Sequence, residues 1–122
     1  MIGKLKRLLK KGNIIFLATS SKFAEPNLIA VESLGLNKNK LLIADCQFNK
    51  TLRNLKQNKK VSILVTNNKE YYQLKGKAEY SNKGKLFEEI RKTLKNSQYK
   101  PKGVMLMTIK EIWDLNKIKK LK

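Results

Sequence analysis

A mainly antiparallel β-barrel with short peripheral helices is the fold class that this sequence predicts, and three observations predict it. About six short runs rich in β-forming residues recur along the chain. Tight turns join most of them. The length of 122 residues suits one domain, residues 1–122, with a single core. In so small a sheet, closure removes the exposed edges that would otherwise invite aggregation.

The elements follow in order. Leu5, Leu8 and Leu9 lie at helical spacing among lysines, and Gly12 stops the pattern, so a short amphipathic helix opens the chain. Ile14 to Ala18 is a continuous apolar run, read as a buried strand. Ser20 to Asn27, with Glu25-Pro26-Asn27, has turn chemistry. Leu28 to Leu36 and Leu41 to Asp45 are strands joined by the polar turn Asn37-Lys38-Asn39-Lys40. Leu52 and Leu55 then mark one or two helical turns, with Asn49 or its neighbour as N-cap.

Val61 to Thr66 returns to strand, and Asn67 to Glu70 forms a turn. Tyr71 to Tyr80 reads as a long strand, with Gly76 marking a bulge or a close backbone approach. Tyr71 and Tyr72 point to opposite faces of it, so one of them lies outside. Leu86, Phe87, Ile90 and Leu94 set an amphipathic helix within Lys83 to Lys95. Val104 to Ile109 is a last core strand that Glu111 to Leu115 extends, and the basic tail from Asn116 to Lys122 is expected to fray. Two or three short helices therefore accompany the strands, with neither repeat nor linker.

Composition narrows the function. The net charge is +19, from 28 basic and 9 acidic residues, which attracts anions of every kind. Nearly all of the positive charge is lysine spread along the chain, with arginine only at positions Arg7, Arg53 and Arg91. Base-specific readout leans on arginine, so the charge reads as a solvated coat. There is no histidine, hence no imidazole general base, no imidazole metal ligand and no Ser-His or Cys-His dyad. Cys46 stands alone, which rules out an intrachain disulfide and points to a reducing, cytoplasmic setting. The first residues hold no long apolar stretch, so neither a signal peptide nor a membrane span is expected there. A hydrophobic content of 41% supports a packed core, but a domain of this size holds a large planar cofactor more easily at an edge or a subunit interface.

The segment Asp45-Cys46-Gln47-Phe48-Asn49-Lys50-Thr51 is where chemistry concentrates. A strand ends, a polar loop follows and a helix begins. Backbone N–H groups at a helix start favour an anion. Lys50 adds a full charge and the Thr51 hydroxyl a donor, so with Asn49 they form a phosphate grip. On local chemistry alone an ordinary helix cap beside a surface lysine is the simpler reading. Cys46 reads more readily as a small apolar filler than as a redox thiol, and Asp45 as a turn-stabilising residue.

Three groups of residues recur in a telling order. Leu17-Ala18-Thr19-Ser20 leads to Pro26-Asn27; Leu42-Ile43-Ala44-Asp45 leads to Lys50-Thr51-Leu52-Arg53-Asn54-Leu55; Asn58-Lys59-Lys60-Val61-Ser62-Ile63 is followed by Gln73-Leu74-Lys75-Gly76-Lys77-Ala78-Glu79. In this order the chain resembles the pyridoxamine 5′-phosphate oxidase-like FMN-binding split-barrel superfamily, and among its members the short FMN-binding proteins of anaerobes. The resemblance runs from Leu9 to Leu115. It implies a split β-barrel and a homodimer with one FMN per subunit near the interface. It implies that Lys50 and Thr51 contact the flavin phosphate. Ala44 and the loop Asp45, Cys46, Gln47, Phe48 and Asn49 would lie by the ribityl chain and ring, and Ala30, Val31, Glu32 and Ser33 would line the isoalloxazine. Tyr99, Trp113 and Leu115 would be placed to reach across from the partner, and Gln73 to approach the same ring. Several members of the superfamily carry an aromatic residue or threonine where this chain has Val31 and Glu32. A carboxylate near the flavin's electron-rich edge disfavours the anionic reduced form, so Glu32 either faces solvent or lowers the potential.

The function that follows is flavin redox chemistry, as a small oxidoreductase or as an electron carrier. Either fits the lack of an acid–base pair, because the cofactor performs the chemistry. The chain has no dinucleotide-binding glycine motif, so a nicotinamide would meet an exposed flavin face; a protein redox partner is the other possibility. A basic nucleic-acid-binding barrel is the alternative from another class, permitted by the charge and by Phe48, Tyr71, Tyr72 and Tyr80. A third possibility keeps the fold and exchanges FMN for a deazaflavin or haem.

Overall fold

The structure, a computed structural model, describes residues 3–122. Helix α1 (Gly3–Leu8) precedes β1 (Ile14–Ser20), β2 (Pro26–Asn37) and β3 (Lys40–Asp45). Helix α2 (Lys50–Gln57) is followed by β4 (Lys60–Thr66) and β5 (Tyr71–Ser81). Helix α3 (Lys85–Thr93), β6 (Gly103–Asp114) and β7 (Lys119–Lys120) complete the chain. Among the described residues no helix is long and apolar enough to cross a membrane.

Every strand pairing is antiparallel, in the order β3-β2-β1-β4-β5-β6-β7, and β3 also pairs with β6. That last pairing closes six strands into a barrel, and β7 hangs from the end of β6. The closure is uneven. All of β3, Lys40 to Asp45, runs beside β6, opposite Gly103 to Thr108. Against β2 it pairs only around Ser33, Leu36 and Asn37. The first half of β2, Pro26 to Glu32, is paired with β1 alone, so β3 leaves β2 and the barrel splits there.

Alternation accounts for the core. Ile15 and Leu17 on β1, Ile63 and Val65 on β4 and Leu74 on β5 point inward and are almost wholly buried. Leu41, Ile43, Met105 and Met107 fill the interior from the closing pair, and Leu5 and Leu9 pack against the same core. β3 is buried on both faces because α3 lays Phe87 over Leu42 and Val104 in a second cluster. The β2–β3 hairpin turns through Lys38 (φ 52°) and Asn39 (φ 70°), both left-handed, as a two-residue turn of the primed kind requires.

Two details of the sequence reading differ or sharpen. The C-terminal tail does not fray: β7 pairs Lys119 with Asp114 and Lys120 with Trp113, and the Leu121 amide donates to the Ile112 carbonyl at 2.7 Å. Main-chain pairing orders it without a hydrophobic pattern to announce it. Gly76 marks both a bulge and a close approach. The β5–β6 register shifts between Lys75 and Gly76, with Lys110 as the extra residue on β6, and a Cβ at position 76 would collide with the Thr108 carbonyl oxygen. Gly76→Ala is therefore expected to destabilise the barrel by roughly 1–3 kcal/mol, read as a lower midpoint in urea denaturation.

Candidate functional site

The split opens a cleft of about 410 Å³ between the free half of β2 and the segment that leaves β3. One wall is Ile29, Ala30, Val31 and Glu32 of β2. The other is Ala44, Cys46, Gln47 and Phe48, and Tyr99 closes one side from the α3–β6 connection. The Ser33 amide donates to Asn13 and its carbonyl accepts from Gly12, so its main chain faces the β1 side. Strand alternation then turns the N–H and C=O of Ala30 toward the cleft, where β2 has no partner strand. Glu32 is the only carboxylate in the lining.

Beyond Phe48 the same wall runs into the start of α2. Asn49 occupies the N-cap position, but its side chain makes no capping hydrogen bond, and the first turn holds no acidic residue. The expected side-chain cap is thus absent, and first-turn N–H groups keep their capacity to donate to an anion. Two side-chain contacts, one buried and one partly buried, fix this helix against the barrel. The Asn54 amide donates to the Thr19 hydroxyl at 3.0 Å, and the Asn27 amide donates to the Thr51 hydroxyl at 3.0 Å. Thr51 is 1% exposed, whereas Lys50 is fully on the surface side. Asn27 lies two residues before Ile29 in the opposite wall, so the helix start sits at one end of the cleft.

Asp45 sets the loop. Its carboxylate is fully buried; one oxygen accepts the Phe48 amide at 2.7 Å and the other accepts the Tyr80 hydroxyl. It is the turn-stabilising residue of the sequence reading, held by a partner that the reading did not find. Burial pushes the Tyr80 phenol well above the ordinary tyrosine range, and the hydrogen bond to Asp45 and its charge push in the same direction. Gly103 is required beside them, because a Cβ there would collide with the Tyr80 hydroxyl. Burial also raises the Cys46 thiol, with the carboxylates of Asp45 and Glu32 adding to the effect, so this cysteine stays a protonated thiol at neutral pH.

The structure brings Ala30, Val31, Glu32, Ala44, Cys46 and Gln47 together in one cleft, adds Tyr99 from the same protomer where the resemblance implied the partner's, and sets Asn49, Lys50 and Thr51 at its end. Ser33 turns away: its hydroxyl donates to the Leu9 carbonyl at 2.6 Å. Gln73 and Trp113 are cross-strand neighbours on the outer face of β5 and β6, not in the cleft of their own protomer. The Gln73 amide donates to the Ser62 hydroxyl at 3.1 Å, while the Trp113 Nε1 is buried without a hydrogen-bond acceptor. Phe48, which lies within the loop that the resemblance put beside the ring, also lines the cleft, and its ring packs toward Tyr80 with centroids 6.4 Å apart. Of the four aromatics that could stack bases, Phe48 and Tyr72 are buried, Tyr80 is tied to Asp45 and Tyr71 alone is exposed, so they form no stacking platform.

Comparison with known proteins agrees with this geometry. The family model described as pyridoxamine 5′-phosphate oxidase matches residues 1–116. The chain belongs to that family of split-barrel proteins. An uncharacterized protein of Methanocaldococcus jannaschii is 42% identical over 112 residues, covering 86% of this chain and 74% of that one. Among solved structures, HupZ of Group A Streptococcus superposes with a TM-score of 0.89 at 18% identity, covering 100% of this chain and 99% of that chain. An FMN-binding protein of Syntrophomonas wolfei gives 0.68 at 21% identity, covering 80% and 74%. HutZ, a haem storage protein of Vibrio cholerae, gives 0.67 at 15% identity, covering 91% and 92%. At these identities the structural matches establish the fold alone.

The Tyr80–Asp45 bond yields a pH-dependent expectation. A phenol whose pKa is raised on folding stabilises the fold fully below its unfolded value near ~10 and loses that contribution as pH climbs through the folded value. Tyr80→Phe should cost about 1.5–3 kcal/mol at neutral pH, because a buried carboxylate loses a donor. Denaturant titrations should show the gap to wild type narrowing in strong alkali.

Proposed function

We propose that this chain is an FMN-binding redox protein that works as a homodimer, with the flavin ring in the split-barrel cleft and its phosphate at the start of α2. The observation that carries the reading is the helix start itself. It lacks a side-chain cap, lacks an acid, begins with Lys50 and stands at the end of an apolar cleft. A simple structural cap would use the Asn49 side chain, which it does not. The cleft volume of about 410 Å³ lies in the range of small-molecule sites.

In this arrangement the α2 N–H groups and Lys50 bind the phosphate. Thr51, held by Asn27, stations the helix start. The free β2 edge at Ala30 offers main-chain donors and acceptors to a planar heterocycle, and Val31, Ala44 and Phe48 exclude water from it. Glu32 places negative charge beside the ring and so holds its potential down. Bound there, a flavin supplies one- and two-electron chemistry that the side chains of the cleft lack. The absence of histidine removes the usual protein ligand of haem iron, which favours flavin over haem. The exposed mouth of the cleft suits either a nicotinamide or a protein carrier as redox partner.

The dimer reading rests on the outer sheet face. Ala30, Phe16, Leu64, Gln73 and Trp113 stand in one cross-strand row over β2, β1, β4, β5 and β6. Ile14 and Leu28 beside it are 52% and 66% exposed. A second copy would cover this apolar face and could supply the acceptor that the Trp113 indole lacks.

The first test is the absorbance spectrum of the purified protein, with mass spectrometry of the released cofactor. A flavin band and FMN mass are expected; a colourless protein, haem or a deazaflavin would overturn the FMN assignment. Lys50→Ala should weaken FMN by about tenfold or more, the loss of one charge-assisted contact, and an unchanged affinity in titration would remove the phosphate grip. Leu64→Glu, in the middle of the outer row, should give monomer in light scattering where wild type gives dimer.

A further inference from the structure

Cys46, Gln47 and Phe48 bound the cleft, and Asp45, just before them, lies at the base of a separate groove of about 580 Å³ between the C-terminal half of α2 and the end of β5. Half-buried Leu52 gives this groove its accessible apolar surface above the buried Leu55 and Ala78, and Lys56, Lys59, Lys83 and Lys102 stand exposed around it. Its two acids do not cancel that charge. Glu79 is paired with Lys59 at 2.6 Å, and Asp45 is wholly buried and engaged by Tyr80 and Phe48. Among the described residues, Lys56, Lys83 and Lys102 have no carboxylate within ion-pair distance.

We propose that this groove docks an acidic segment of a protein partner, its carboxylates on Lys56, Lys83 and Lys102 and an apolar side chain on Leu52. The chemistry of the lining selects that occupant. Lysine heads are mobile point charges without the guanidinium fork that grips a phosphate in fixed geometry, and no arginine lines the groove. The end of α2 that borders it presents carbonyls, so no cradle of helix N–H groups is available for a small anion. The only aromatic ring there, Tyr80, is half-buried and bonded to Asp45, which denies a single-stranded nucleic acid its stacking surface. Spread lysines around an apolar floor match an acidic peptide with an apolar anchor, steered by long-range charge. The partner would then sit one loop away from the cleft. This docking surface stands on its own residues whether or not the cleft holds a flavin.

The test measures binding of a short fluorescent all-glutamate peptide by anisotropy. Wild type is compared with Lys56→Glu/Lys83→Glu/Lys102→Glu and with Lys6→Glu/Lys69→Glu/Lys117→Glu, an equal change of charge at exposed lysines outside the groove. The groove variant should lose about tenfold or more and the control about twofold or less, with wild-type binding weakening as salt rises. A Lys56→Gln/Lys83→Gln/Lys102→Gln protein, which puts no new acid on the surface, should lose affinity in the same direction. Equal losses in groove and control variants would assign binding to overall charge and overturn the proposal, as would no loss in either. Tighter, groove-dependent binding of an oligothymidylate of matched charge would overturn the choice of a protein partner.

Discussion

The commitment of β3 to β6 is the constraint on which the rest of the molecule depends. A strand has two edges, and β3 uses one of them along its whole length, from Lys40 to Asp45, to close the barrel. Its other edge reaches β2 only near the hairpin. The first half of β2 therefore keeps main-chain groups without a strand partner, a condition that a closed barrel otherwise abolishes. The cleft is the space between these two diverging strands. Nothing further had to be carved out to make it, because the register of one strand pair produces the opening, its apolar walls and its free polar edge together.

Asp45 transmits that register to the helix that follows. It is the last residue of β3, its main chain accepts the Lys102 amide at 2.6 Å, and its side chain ties the β5 residue Tyr80 to the Phe48 amide. A buried carboxylate is tolerated because both of its oxygens accept hydrogen bonds. Three strands thereby determine where α2 begins, and the Thr19–Asn54 and Asn27–Thr51 contacts determine its direction. The helix start is held in place by the barrel and not by a cap of its own, which leaves its N–H groups for another use.

Much of this could be read from the chain beforehand. Short runs of β-forming residues between turns marked the strands, and the opposite parity of Tyr71 and Tyr72 required one of them to lie outside; it is Tyr71, at 38% exposure, with Tyr72 inside at 4%. Glycine between Lys75 and Lys77 identified the bulge, since its cause is local crowding. What escaped was long-range or carried by the backbone. The Asp45–Tyr80 bond joins residues 35 positions apart, and neither residue names the other. Two facing main chains make β7, so a tail of lysines gave no sign of it. The resemblance put Gln73 near the ring and Trp113 on the partner's side of it, but only the register of the closed barrel reveals that the two face each other on the outer sheet surface while the cleft opens beside β2.

Trp113 is the chain's one tryptophan, and it stands on that outer face with its indole N–H buried and without an acceptor. All indole emission from this protein consequently originates at a single known point of the sheet. The molecule carries a built-in optical label there: the colour and intensity of its ultraviolet fluorescence answer to whatever covers β5 and β6, without a dye and without altering a residue.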